Sequence, residues 1–144
     1  MPETAQDILW LSERIKLLPV IHGSGDFALA VREEMLAHKW DCLAVPLPPS
    51  FKEQVEEGID RLPSISMVTM EEPIPFDPGK LVGEEEEEDN TYSYVPIDPC
   101  QPVILALWIA SQERIATEFI DLETERFESY PGYLPDPYAL KEVS

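Results

Sequence analysis

Leu17-Leu18-Pro19-Val20-Ile21-His22-Gly23-Ser24-Gly25-Asp26-Phe27 is the stretch around which the chain organises. The apolar run at 17–21 reads as a buried strand. It stops at His22, and Gly23-Ser24-Gly25 supplies a tight turn in which positive φ carries no steric penalty. From Asp26 the apolar spacing turns helical. Phe27, Val31 and Met35 recur every fourth position, flanked by Ala28, Leu29 and Leu36, with Arg32, Glu33 and Glu34 on the solvent side. This predicts a helix over 26–39. A strand–turn–helix junction of this kind puts His22 at a strand's carboxyl end, the edge where open α/β sheets bind ligands.

Upstream, residues 2–16 carry a helical stripe of Ile8, Leu9, Leu11 and Ile15. Downstream the pattern alternates. Residues 42–47 form a second buried strand, and Pro48-Pro49 breaks it. Ser50 with Glu53 is a capping box that opens a helix over 51–62, its inner side Val55, Ile59 and Leu62. Pro63 ends that helix, and 65–70 alternates as a third strand. Such β-α-β-α-β order with short loops is the pattern of a parallel sheet with right-handed crossovers.

Residues 71–90 lack periodicity and hold Pro73, Pro75, Pro78, Gly79 and Gly83, and 71–97 reads as a long insertion. Within it 84–90 is an acidic mobile loop, because six consecutive like charges repel and resist burial. Tyr92 to Val95 returns as a short extended segment. Asp98-Pro99-Cys100-Gln101 then reads as a helix start, with Asp98 as N-cap and Pro99 at the first position. The helix runs to Arg114 and is apolar nearly all round over 103–110. A helix without a polar face needs cover on both sides. It is therefore expected to pack on a protein partner, a second copy in a homodimer, or a carboxyl-terminal half. Residues 116–122 form a fourth strand that ends in Asp121.

With 144 residues and 44% hydrophobic content, one domain over 1–144 with a real core is expected. The predicted class is α/β: an open, mostly parallel sheet of about four strands with helices on both faces. A net charge of -19 repels phosphate backbones and anionic lipid, which argues against nucleic acid and membrane partners. Cys42 and Cys100 are too few for a disulfide scaffold and read as reduced core thiols. No signal peptide or spanning segment is visible, which points to a cytoplasmic protein.

His22 is the main candidate for chemistry. Beside a glycine turn at a helix start it is placed to act as a general base or ligand, and the Gly23, Ser24, Gly25 and Asp26 backbone to receive negative charge. The structural alternative is an ordinary strand-end histidine. The turn is neither a phosphate-binding Gly-Lys-Ser/Thr loop nor a G-x-S-x-G elbow, so Ser24 is a poor nucleophile candidate. Asp121 and Glu123 lie on the same predicted edge, either as strand-end caps or as acids that orient His22 or share a metal with it.

His22-Gly23-x-Gly25, the strand ending in Pro48-Pro49, Tyr94-Val95-Pro96, the apolar helix and Phe119-Ile120-Asp121-Leu122 together resemble the amino-terminal part of the TraB/ChaN/erythromycin-esterase-like superfamily. The similarity is greatest to large cytoplasmic members of unknown role, which read H-H-G-P-G-S, I-E-G-P-P and V-R-F-I-D-L. The resemblance implies a parallel α/β sheet that continues beyond this length and a His-plus-acid site; relatives include hydrolases, a haem-binding protein and presumed metalloproteases. The family glutamate at the end of strand two aligns with Pro46, which neither binds metal nor moves a proton. A degenerate, non-catalytic binding or scaffold module is therefore expected, with a hydrolase or metal-dependent hydrolase centred on His22 as the alternative. Substrate, cofactor and metal are left open by the sequence.

Overall fold

The computed structural model describes residues 9–71 and 92–123. In chain order these form β1 (Trp10–Ser12), β2 (Ile15–Lys16), α1 (Gly25–Ala37), β3 (Cys42–Val45), a 3-10 turn (Pro49–Phe51) running into α2 (Lys52–Asp60), β4 (Ser66–Glu71), β5 (Tyr92–Ile97), α3 (Pro102–Glu113) and β6 (Ala116–Phe119). The acidic loop 84–90, most of the insertion at 71–97 and the carboxyl-terminal stretch 124–144 lie outside the described residues. The last six residues of the insertion are β5, which takes in the extended segment expected at Tyr92 to Val95.

Helices and strands are mixed, as expected for α/β, but the strands pair in twos. β3 and β6 are parallel, Val45 opposite Phe119. β4 and β5 are antiparallel, with Val68 opposite Val95. β1 and β2 form a small antiparallel hairpin. The expected open parallel sheet of four strands is thus met only by β3–β6. Residues 17–21 join no ladder, although Leu18 and Val20 still turn inward onto the core. Pro19 has no N–H to donate, so a ladder through this segment would be broken at its centre.

The start of the chain differs more. Where a helix over 2–16 was expected, the described part is the hairpin. Trp10 and Lys16 stand opposite each other, which brings the ammonium to 5.2 Å from the Trp10 ring centroid. Trp10 also stacks on Trp40 at 6.0 Å, and Lys16 pairs with Glu34 of α1 at 2.7 Å. These contacts across the fold outweigh a local helical stripe. Leu11 and Ile15 of that stripe are exposed.

α3 is the centre of the fold. Val103, Ile104 and Leu107 enter a core with Val45, Phe51, Val55, Ile59, Ile97 and Phe119. On its other side Ala106 and Ala110 meet Val31 and Met35 of α1. The bare side expected of this helix is therefore not found: α1 covers it, and Leu105, Trp108 and Ile109 remain only half-buried. Two alanines at the crossing let the helices approach closely, with interaxial distance set by the side chains at the contact.

Three local starts also differ. α3 begins at Pro102, not Pro99, with Gln101 as N-cap. Asp98 instead accepts a bond from the Cys100 amide at 2.8 Å, a turn that precedes the helix. Ser50 makes no side-chain cap; successive prolines lead into a 3-10 turn, and its amide donates to Glu123. Cys42 and Cys100 are free and exposed, so neither is a core thiol. Cys42 lies on the outer face of β3, opposite to that of Leu43 and Val45, as strand alternation requires.

Candidate functional site

The turn before α1 is built as its glycines suggest. Gly23 sits at φ +76°, the left-handed region that side-chain-bearing residues avoid. Its N–H donates to Oε1 of Gln101 at 2.7 Å. The Ser24 amide donates to the Ile21 carbonyl at 3.2 Å, and Ala28 N–H returns to the Ser24 carbonyl at 3.1 Å to begin the helix. The Ser24 hydroxyl makes no cap bond. Asp26 falls in the first turn, where a carboxylate suits the positive end of the helix dipole. His22 is exposed at the head of this turn, with Gly23 and Gly25 exposed beside it.

Asp121 lies at the carboxyl end of the parallel pair, as predicted. The Ile120 and Asp121 amides donate to the Val45 and Leu47 carbonyls at 3.0 and 3.1 Å, carrying the ladder one step past the strands. Asp121 Oδ1 accepts from the Leu122 amide at 2.8 Å. Glu123 Oε1 accepts from the Ser50 amide at 3.1 Å, at the entry to the 3-10 turn. Pro46 is exposed between Val45 and Leu47, in the bend that this edge wraps. Both acids thus hold backbone. Among the described residues no hydrogen bond or ion pair joins His22 to Asp121, and no group of three or more His, Cys, Asp or Glu converges as metal ligands would.

Two features were not found by sequence reasoning. One is the cluster in which Glu34 takes Lys16 at 2.7 Å and faces His38 Nδ1 at 3.2 Å, under the Trp10–Trp40 stack. The spacing of Glu34 and His38, four apart on one helix, was a legible signal. The hairpin contacts were not. The other is a groove between α2 and β4, lined by Gln54, Glu57 and Arg61 from the helix side and by residues 66–69 of the strand. Its existence depends on how α2 lies beside β4, which local patterns do not report.

Comparison with protein-family models, with curated proteins and with solved structures finds no match to this chain. Among the described residues no helix is long and apolar enough to cross a membrane.

Proposed function

We propose that this chain is a non-catalytic α/β module, a degenerate relative of the TraB/ChaN/erythromycin-esterase-like domains, that works by binding a protein partner. The observation that carries it is the Gly23–Gln101 bond. Of the four amides expected to receive negative charge beside His22, that of Gly23 donates to a side-chain carbonyl of the same chain at 2.7 Å and that of Ser24 to the Ile21 carbonyl at 3.2 Å. Asp121 and Glu123 likewise spend an oxygen each on backbone amides. A hydrolytic site needs several groups aimed at one reacting atom. Support for the family's parallel sheet comes from the β3–β6 ladder and from Val20, which shares its core with Leu43.

The alternative is a hydrolase with His22 as base or ligand. What favours it is the exposed imidazole next to a 13-residue helix whose N-cap makes no side-chain bond. Metal content of the purified protein separates the two when His22→Ala is measured in parallel. A binding module holds no stoichiometric metal in either form, and one equivalent lost on substitution would establish the alternative.

A further inference from the structure

We infer that the β1–β2 hairpin is a detachable strap and that His38 is the proton switch that loosens it. Attachment of the hairpin to α1 weakens as His38 takes up a proton. The inference goes beyond the binding role proposed above and does not depend on it.

Residues 10–15 are exposed, Lys16 is half-buried, and neither strand contributes a residue to the apolar clusters of the core. A lone two-stranded hairpin is marginal in water, so this one stands by what fastens it. The fastening passes through Lys16, 2.7 Å from Glu34 Oε2, and through the Trp10 ring, stacked on Trp40 at 6.0 Å. Leu18 and Val20, next along the chain, pack on the core. Release therefore ends at Leu17 and leaves the rest of the fold in place.

The carboxylate that holds Lys16 has a second claimant. His38, the C-cap of α1, brings Nδ1 to 3.2 Å from Glu34 Oε1, a buried oxygen that accepts no hydrogen bond among the described residues. Its ring lies 5.6 Å from that of Trp40. Two basic groups thus face the two oxygens of one acid. Glu13 and Arg14 in the hairpin turn, and Lys39 and Asp41 on either side of Trp40, make no ion pair with His38 or Glu34.

The direction of the switch follows from which charges move together. Lysine stays charged from pH 5 to 8, whereas histidine is the side chain that changes charge in that range. Glu34 and His38 sit on one helix, so their attraction is present with the hairpin on or off. Repulsion between a protonated His38 and Lys16 exists only with the hairpin on. Protonation therefore disfavours the attached state alone. The His38 side chain is 49% exposed, and solvent screening keeps the effect to a few-fold.

The test follows amide exchange at Leu17, whose N–H donates to the Leu9 carbonyl and closes the hairpin. Rates are taken in the full chain between about pH 8 and about pH 5.5, corrected for intrinsic exchange, with amides of α3 as reference. In the wild type, protection of Leu17 relative to α3 should fall about two- to fivefold on acidification. His38→Gln should keep the higher protection at both ends of the range, and His38→Arg should show the lower protection at both. Unchanged or greater protection of wild-type Leu17 at the acid end would overturn the inference, as would an equal fall in His38→Gln. Leu17 unprotected throughout in His38→Gln would make His38 a structural anchor and not a switch. Wild-type protection in His38→Arg at the alkaline end would show that a charge at this position does not reach Lys16.

Discussion

Gly23 donates its amide to Gln101 across 78 positions of sequence, which locks the turn before α1 to the residue that starts α3. The two helices then pack through Val31, Met35, Ala106 and Ala110, so this bond joins the heads of the central helix pair. Gln101→Ala should cost about 0.5–1.5 kcal/mol, the net worth of one such hydrogen bond. Gly23→Ala should cost about 1–2 kcal/mol through its left-handed φ alone. Urea unfolding of both, and of the double variant, checks this: residues in contact should give a sum that differs from the double.

At the other end of α3, Arg114 sits in the left-handed region at φ 58° and closes the helix through its amide to the Ala110 carbonyl. Glycine is the residue suited to that position. Arg114→Gly should raise stability by about 0.5–1 kcal/mol, the relief of strain less the entropy glycine loses on folding. A lowered urea midpoint for this variant would contradict the geometry.

Gly58 lets α2 lie directly on β5. A Cβ there would stand 2.9 Å from Cγ1 of Ile97, which is fully buried and cannot swing away. Gly58→Ala adds helix propensity worth about 1 kcal/mol but overpacks the contact by about 1–3 kcal/mol. Net loss is expected. Ile97→Ala should cost about 2–5 kcal/mol alone, and less in the Gly58→Ala background, where the new methyl fills part of the cavity. Equal costs in both backgrounds would show that the two residues do not meet.

Lys16 and Glu34 are 10% and 18% exposed at their side chains, and with the Trp10–Trp40 stack they fasten the hairpin to α1. Lys16→Ala leaves a mostly buried carboxylate without its main partner, at about 1–3 kcal/mol. Loss should be local. Hydrogen exchange should speed up at Leu17, whose amide donates to the Leu9 carbonyl, while amides of α3 keep their protection. Uniform loss across the chain would mean the hairpin is part of the core.

How far the fold was legible follows from which contacts are local. Phe27, Val31 and Met35 announced α1 through their spacing, and the structure buries Val31 and Met35 with Ala28. β3 was legible as a run of small and branched residues, and β6 within the strand expected over 116–122. The partner of β4 was not: strand pairing joins residues far apart, and nothing in residues 65–70 distinguishes a parallel neighbour from the antiparallel β5. The hairpin over 10–16 was missed because its support comes from Trp40 and Glu34, which no window around Leu11 contains. The bare side expected of α3 arose from counting hydrophobes, whereas Ala106 and Ala110 matter by being small. Of the candidate site, the glycine turn and the strand-end acid were both located from sequence. Whether they converge depends on the crossing of distant elements, and each proved to be engaged with nearby backbone or with Gln101.

The most direct test of the non-catalytic reading is ester hydrolysis by the wild-type chain and His22→Ala, with p-nitrophenyl acetate as probe, with and without added zinc. Two exposed histidines give a small background, so the comparison between proteins carries the result. Rates within about twofold of each other, zinc or no zinc, are expected if His22 only heads a structural turn. A wild-type rate ~10²–10⁴ above that of His22→Ala, the range a positioned general base contributes, would contradict the binding-module account and establish His22 as catalytic.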